Sequence, residues 1–346
     1  MAFFKAQQQP AAIPDIELAN PPPDSISSIS FSPTADLLAV GSWDCSVRIY
    51  EVNAQGQSQG KAMYSHEGPV LDVCWSKDGT KIFSGGADGV ARMYDLQTGA
   101  SQQVGAHDGP VKCVRWIGTG GGILITGSWD KTVKYWNTNI ISPNPMGILR
   151  LPERVYAMDV AQQLLAVATA ERKICLVNLA QPDTIFREVE SPLKWQTRTL
   201  ACSPAGDGYA IGGVEGRVAV QYVDEKDSAN NMSFKCHRKD TANPRDGTTV
   251  HSVNAISFNV RHGTFSTCGS DGAVCFWDKD SRIRLKSFEP APGPIACTAI
   301  NRTGTIFAYA VSYDWSKGHT GMTPGHVNKV MLHPLKDEEM RRKPKK

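Results

Sequence analysis

No stretch of this 346-residue chain approaches the roughly 18 consecutive apolar residues that a membrane-spanning helix requires, so no membrane span is expected. It also lacks a Gly-x-Ser-x-Gly elbow, a His-Glu-x-x-His pair and a phosphate-binding loop ending in Gly-Lys-Ser/Thr. Those gaps remove the common serine-hydrolase, zinc-peptidase and nucleotidase readings. The nine cysteines, Cys45, Cys74, Cys113, Cys175, Cys202, Cys236, Cys268, Cys275 and Cys297, contain no Cys-x-x-Cys pair. An odd, scattered set reads as small buried strand residues in a reducing compartment, not as disulfides. Cys236-His237 with Cys268 matches no zinc spacing. Charge of one sign is missing too: 37 Lys and Arg against 34 Asp and Glu leave +3, which makes no chain-wide case for nucleic acid. The opening MAFFKAQQQP has neither the apolar core nor the cleavage pattern of a signal peptide, and an intracellular location is expected. With no nucleophile–base pair, metal cluster or cofactor cradle, the chain reads as non-enzymatic, without cofactor or metal.

What is present is a repeated hairpin. Gly127-Ser128-Trp129-Asp130 ends one alternating strand and Thr132 to Trp136 restarts another, with turn-forming residues between. Aligned on the turn acid, copies recur at Asp44, Asp88, Asp130, Glu171, Glu215, Asp271 and Asp314, separated by 44, 42, 41, 44, 56 and 43 residues. Six positions after the acid stand Tyr50, Tyr94, Trp136 and Trp277, with Val177 and Gln221 departing. A period of 40–45 with an aromatic-Asp ending is the signature of a WD-repeat propeller, four strands to a blade. Seven copies predict an all-β, seven-bladed WD-repeat β-propeller, one closed ring instead of several domains. An open seam would leave strand edges unpaired, so the last blade is expected to be closed by N- and C-terminal strands, with the segment around Ile16 beside 327–332.

Three units follow: a disordered N-terminus over 1–14, a single propeller over 15–335, and a basic C-terminal tail over 336–346 ending RRKPKK. Blades two and three open with His66-Glu67-Gly68-Pro69 and His107-Asp108-Gly109-Pro110. Each His precedes its turn acid by 22 or 23 residues and is expected to bond it and nearby strand residues. Accordingly His66, Asp88, His107 and Asp130 are read as structural, and so are His237 and Asp271 despite their 34-residue separation. The excess there falls in a polar loop, 239–249, which is expected to be mobile or functional. Gly118-Thr119-Gly120-Gly121-Gly122 lacks the Lys-Ser/Thr and helix of a phosphate loop and is expected to be a hairpin turn.

A rigid disc without chemistry is a binding platform. In propeller topology the acid-bearing turns and the loops before each first strand emerge on one face. Trp43, Ala87, Trp129, Ala170, Val214, Ser270 and Tyr313 are therefore expected around the channel. Two Trp and a Tyr on a solvated rim invite a partner. Arg154, Arg172 and Arg238 lie in loops near that face, suggesting an acidic-plus-apolar peptide.

Beyond the generic repeat, the strings HEGPVLDVCWSKDGTK, LPERVYAMD, VATAER, ESPLKWQTR, EGRVAVQY, FKCHR, GSDGAVCFWDKD and FAYAVSYDWSKGH are distinctive. From Asp24 to His319 the chain resembles the Gle/Rae family of nucleoporin-associated mRNA export propellers, fungal members most. The resemblance implies binding of the GLEBS hairpin of an FG nucleoporin, with acidic residues meeting Arg238 of FKCHR and, more weakly, Arg172 and Arg154. Trp129, Trp43, Tyr313, Trp315 and Lys317 are placed on the same surface. It further implies an mRNA or mRNP partner, a weak direct contact being one form of it, and residence at the nuclear envelope pore with shuttling to the cytoplasm. A propeller monomeric in itself is expected. The alternative is the mitotic checkpoint propeller, which binds GLEBS-like motifs of checkpoint kinases.

Overall fold

A computed structural model describes residues 14–118, 122–240, 247–323 and 325–343. The N-terminal segment expected to be disordered lies, up to residue 13, outside them; so do 241–246 of the polar loop, 119–121 of the glycine turn and 344–346 of the tail. Among the described residues are seven four-stranded antiparallel sheets and one two-stranded ribbon. Blade one runs Ile26–Phe31, Leu37–Ser42, Ser46–Val52 and Ser58–Ser65 from channel to rim, and blades two to six repeat it.

The burial gradient explains why these residues become strands. Val70–Trp75 near the axis is buried at every position, because a neighbouring blade covers each of its faces. Ile185–Glu190 at the rim alternates half-buried with exposed residues. The core is thus a series of wedges between blades. One joins Cys113, Ile125 and Val133 of blade three to Met158, Leu165 and Cys175 of blade four. Trp136 fills another such wedge. It lies so flat on Ser101–Ala106 that a Cβ on Gly105 would come within 2.5 Å of the indole.

The ring closes as expected. Ile16–Glu17 is the outermost strand of blade seven, pairing Ile16 with Leu332 and Glu17 with Met331. Leu18 N–H adds a bond to Val330 O at 2.8 Å, and the Tyr50 hydroxyl donates to Asn20 O at 2.8 Å. The tail departs from the sequence reading, which took 336–346 as a basic extension. Asp337–Met340 forms a short helix, and Met340, 1% accessible, sits in the core of blades six and seven. The reason is one apolar side chain within a charged run.

His333 joins the two ends of the chain. Its Nδ1 lies 2.6 Å from Asp15 and its Nε2 3.3 Å from Glu339. Burial alone would lower the imidazole, but bonds to these two carboxylates outweigh it and raise its pKa to about 9. The unfolded value is about 6.5. A raised folded value means the contribution is complete below about pH 6.5 and is lost as pH climbs through 9. Hydrogen exchange at the Leu18 amide, corrected for base catalysis, is therefore expected to accelerate between pH 6.5 and 9. His333→Gln should remove that dependence.

Candidate partner-binding face

Each acid-bearing turn needs a left-handed residue immediately after the acid. Blades two, five and six place Gly89, Gly216 and Gly272 there, whereas blades one, three, four and seven force Cys45, Lys131, Arg172 and Trp315 to φ between 58° and 66°. Such backbone costs on the order of 1 kcal/mol per residue and needs support. In blades two, three and six the turn acid is held by a directional hydrogen-bond chain, which in blade three supports the strained Lys131. Trp136 Nε1–H donates to Thr126 Oγ1 at 2.8 Å, Thr126 Oγ1 lies 2.7 Å from His107 Nε2, and His107 Nδ1 lies 2.8 Å from Asp130. Trp277, Thr267, His237 and Asp271 repeat it at 2.9, 2.9 and 2.8 Å. In blade two the chain begins at Tyr64, whose hydroxyl reaches Ser84 at 2.8 Å, then His66 and Asp88. Tyr94, in register with Trp136, instead stacks on Tyr64.

Burial pushes His66 and His107 below the ordinary imidazole value, against the pull of their carboxylates. The neutral tautomer protonated at Nδ1 fits both bonds, donating to the carboxylate and accepting at Nε2. Burial would raise Asp130, but the Thr132 hydroxyl and His107 hold it low. The excess in the 34-residue separation of His237 and Asp271 is absorbed by a ribbon pairing Arg238–Asp240 with Thr248–Val250 and closed by His251 N–H to His237 O at 3.0 Å. The described part of the polar loop is thus a two-stranded ribbon.

Sequence reasoning did not find a second ring of residues. The first strand of every blade slips register at its start, between Ile26 and Ser28, Val70 and Asp72, Val111 and Cys113, Val155 and Ala157, Thr197 and Thr199, Val253 and Ala255, and Ile295 and Cys297. A β-bulge re-aims the side chain it leaves unpaired. The bulged residues, Ser27, Leu71, Lys112, Tyr156, Arg198, Asn254 and Ala296, all line the central channel, about 860 Å³. Blades three to six thereby give the mouth a polar, cationic half. The available signal was position, 15 to 18 residues ahead of each turn acid.

The expected anchors divide. Trp43 stacks on Trp315 at 3.9 Å, Trp315 leans on Tyr313, and Tyr313 stacks on His326. Tyr313 is 6% accessible and its hydroxyl donates to Gly318 O, so it belongs to an internal stack and not to an open rim. Lys317 is exposed. Trp129, at 44%, is open to a partner. Arg154 is exposed with its guanidinium 5.8 Å from the Tyr156 ring. Arg238 is spent on the carbonyls of Glu215 and Gly216. Arg172 pairs with Glu190 and donates to Leu193 O and Lys194 O. With Glu215, which accepts Lys194 N–H at 2.8 Å, it fixes the loop that presents Trp195, 64% accessible. Trp195 was missed because the loops before first strands, which reach the same face, were read for cations such as Arg154 and not for aromatics. Trp129, Arg154, Tyr156, Lys194 and Trp195 thus mark an apolar and cationic arc over blades three to five, while Arg198 at its inner edge is spent on the carbonyl of Asp314.

The opposite face carries a cleft of about 370 Å³ between blades five and six, lined by Tyr222, Asn230, Lys279, Asp280, Arg282, Arg342 and Lys343 among others. No cluster of three metal-ligating side chains occurs among the described residues.

Family models match residues 29–119 as the anaphase-promoting complex subunit 4 WD40 domain and residues 245–278 as a WD domain, G-beta repeat. The chain is 57% identical to the poly(A)+ RNA export protein of Schizosaccharomyces pombe, over 96% of this chain and 94% of the relative. It is 51% identical to the mRNA export factor GLE2 of Chaetomium thermophilum, over 95% and 93%. The WD40 propeller of Doa1 superposes with a TM-score of 0.72 at 18% identity, covering 94% of this chain and 97% of that one, a likeness of fold alone.

Proposed function

The chain belongs to the family of mRNA export factors built as WD-repeat propellers, and on that premise we propose that it is a non-enzymatic scaffold holding the GLEBS hairpin of an FG nucleoporin across its turn face. Its role is in mRNA export. The observation that carries the finer reading is the arc of exposed Trp129 and Trp195 with the exposed cations Arg154 and Lys194. Two open indoles among cations suit a segment that alternates apolar and acidic residues. A rigid ring holds them ready, so little ordering is lost on binding. The nuclear envelope pore is the corresponding site of action, and one propeller copy suffices for one hairpin. Titration calorimetry with an isolated GLEBS segment tests this. A dissociation constant of micromolar or tighter is expected; absence of binding overturns it.

A second reading, direct RNA contact, is favoured by the cleft on the other face. Tyr222 offers an aromatic surface beside Lys279, Arg282, Arg342 and Lys343, the combination that single strands use. The checkpoint alternative needs no different surface: a GLEBS-like kinase motif would compete for the same arc. Depletion separates the two, since the export role predicts nuclear poly(A) accumulation before mitotic errors.

A further inference from the structure

The C-terminal segment is held to the face opposite the peptide arc by contacts more specific than a solvated tail requires. Met340 is its plug, with its carbonyl accepting the Thr264 hydroxyl at 2.8 Å and its sulfur 3.2 Å from Asn259 Nδ2. Asp337 lies 2.7 Å from His262 Nε2. Beyond the plug the chain turns back, and Arg342 bonds His262 O and Asp280 at 2.5 Å each. Arg342 fits there because position 263 has no side chain: a Cβ on Gly263 would stand 2.5 Å from the guanidinium.

This docking creates one wall of the basic cleft. Arg342 and Lys343 face it from the C-terminal segment, and Tyr222, Asn230, Lys279 and Arg282 from blades five and six. Lys279 is fixed by Asp280 at 3.0 Å and the Tyr222 hydroxyl at 3.1 Å, with its ammonium 5.1 Å from the ring centre. Asp280 neutralises Lys279 and Arg342 in part. Arg282 spends one N–H on Ala229 O, and neither it nor Lys343 has a carboxylate partner among the described residues. A second hollow, about 610 Å³, continues past Arg261, His262 and Arg341. The two linings also hold Asp207, Asp227, Asp278 and Asp280, which outnumber Lys279, Arg282 and Arg261 until the seated C-terminal segment adds Arg341, Arg342 and Lys343.

We infer that the segment 336–343 is a built wall of a polyanion site, and that seating of Met340 governs how tightly that site holds the phosphate backbone of single-stranded RNA. The inference rests on the RNA reading above. An undocked tail would carry the same charges on a flexible tether, no longer registered with Tyr222 and Arg282, and registered contacts are what binding loses.

The test uses the full chain, a fluorescent 15-nucleotide oligouridylate, and binding measured from 50 to 200 mM KCl. Wild type should bind with affinity that falls as salt rises. Met340→Glu should weaken binding about tenfold and flatten the salt slope by roughly 1.4, two phosphates at about 0.7 each for a single strand. Met340→Leu should restore both. Lys343→Gln, which leaves Met340 and both Arg342 bonds in place, should weaken binding in the same direction and flatten the slope by roughly 0.7. Tryptic cleavage after Arg341 and Arg342, monitored separately, should be slow in wild type and fast in Met340→Glu. Fast cleavage with unchanged RNA affinity would overturn the inference and leave the RNA reading standing. Slow cleavage in wild type with no oligouridylate binding would overturn the RNA reading itself, and the polyanion assignment of the wall with it.

Discussion

Trp129→Ala combined with Trp195→Ala is expected to weaken binding of the nucleoporin hairpin about 100-fold while leaving the denaturation midpoint within experimental error of wild type. The two indoles are 44% and 64% accessible, so neither anchors the core. Trp195 stands on a loop clamped by Arg172 and Glu215, and Trp129 on a turn clamped by Asp130. Removing the rings does not remove the clamps. Aromatic anchors at the centre of an interface are worth ~2 kcal/mol each or more, and alanine-scan losses at one interface add incompletely, which gives ~3 kcal/mol, about 100-fold. Arg172→Ala should act differently. It frees the Trp195 loop, so the loss should be smaller and accompanied by faster hydrogen exchange over 191–196. Calorimetry with the GLEBS segment reads the first effect; unchanged affinity in the double variant would remove the arc from the site.

Arg115→Met should give the largest loss of stability among changes that leave the outer surface alone. Arg115 reaches Asp72 at 2.6 Å and Asp159 at 2.8 Å. Asp72 accepts the Ser28 hydroxyl and Val114 N–H, and Asp159 accepts Cys202 N–H. One guanidinium thus ties blades one to five along the channel wall. Met would fill much of its volume but leave two carboxylates, whose side chains are 13% and 24% accessible, without their cation. Breaking a fully buried pair costs 3–5 kcal/mol, and residual access to channel water lowers the expectation to about 2–4 kcal/mol. The triple variant with Asp72→Asn and Asp159→Asn should recover much of it, since unpaired charge and not lost volume is the main cost. Urea denaturation followed by tryptophan fluorescence measures both. Equal midpoints for the single and triple variants would mean that packing, not charge, sets the effect.

Whatever in this protein is local was readable in its sequence. The turn acids, the residues following them and the alternation on either side are satisfied within a hairpin, so a period of 40–45 residues reports seven blades before any coordinate is known. His107 and Asp130 were legible for the same reason, their spacing being set by one blade's geometry. The Trp195 loop was legible in principle, since its position before a first strand is a local property. Ring closure followed from the general intolerance of unpaired strand edges.

Other features depend on which residue from a distant part of the chain arrives, and only the folded ring decided those. Tyr64 took the hydroxyl role that the register assigns to Tyr94, because the bond chain runs across strands and not along them. Trp315 lies against Trp43 from the other side of the seam, which turned two expected anchors into each other's cover. Arg238 found carbonyls within reach, while Trp195 found none of its surface buried beyond about a third. Met340 found a pocket, made of blades six and seven, that no local pattern announces. A sequence states periodicity and turn chemistry, which are short-range; exposure is a property of what packs against a residue, and in a closed ring the packing partner is usually the next blade, 40 or more residues away, or the opposite end of the chain.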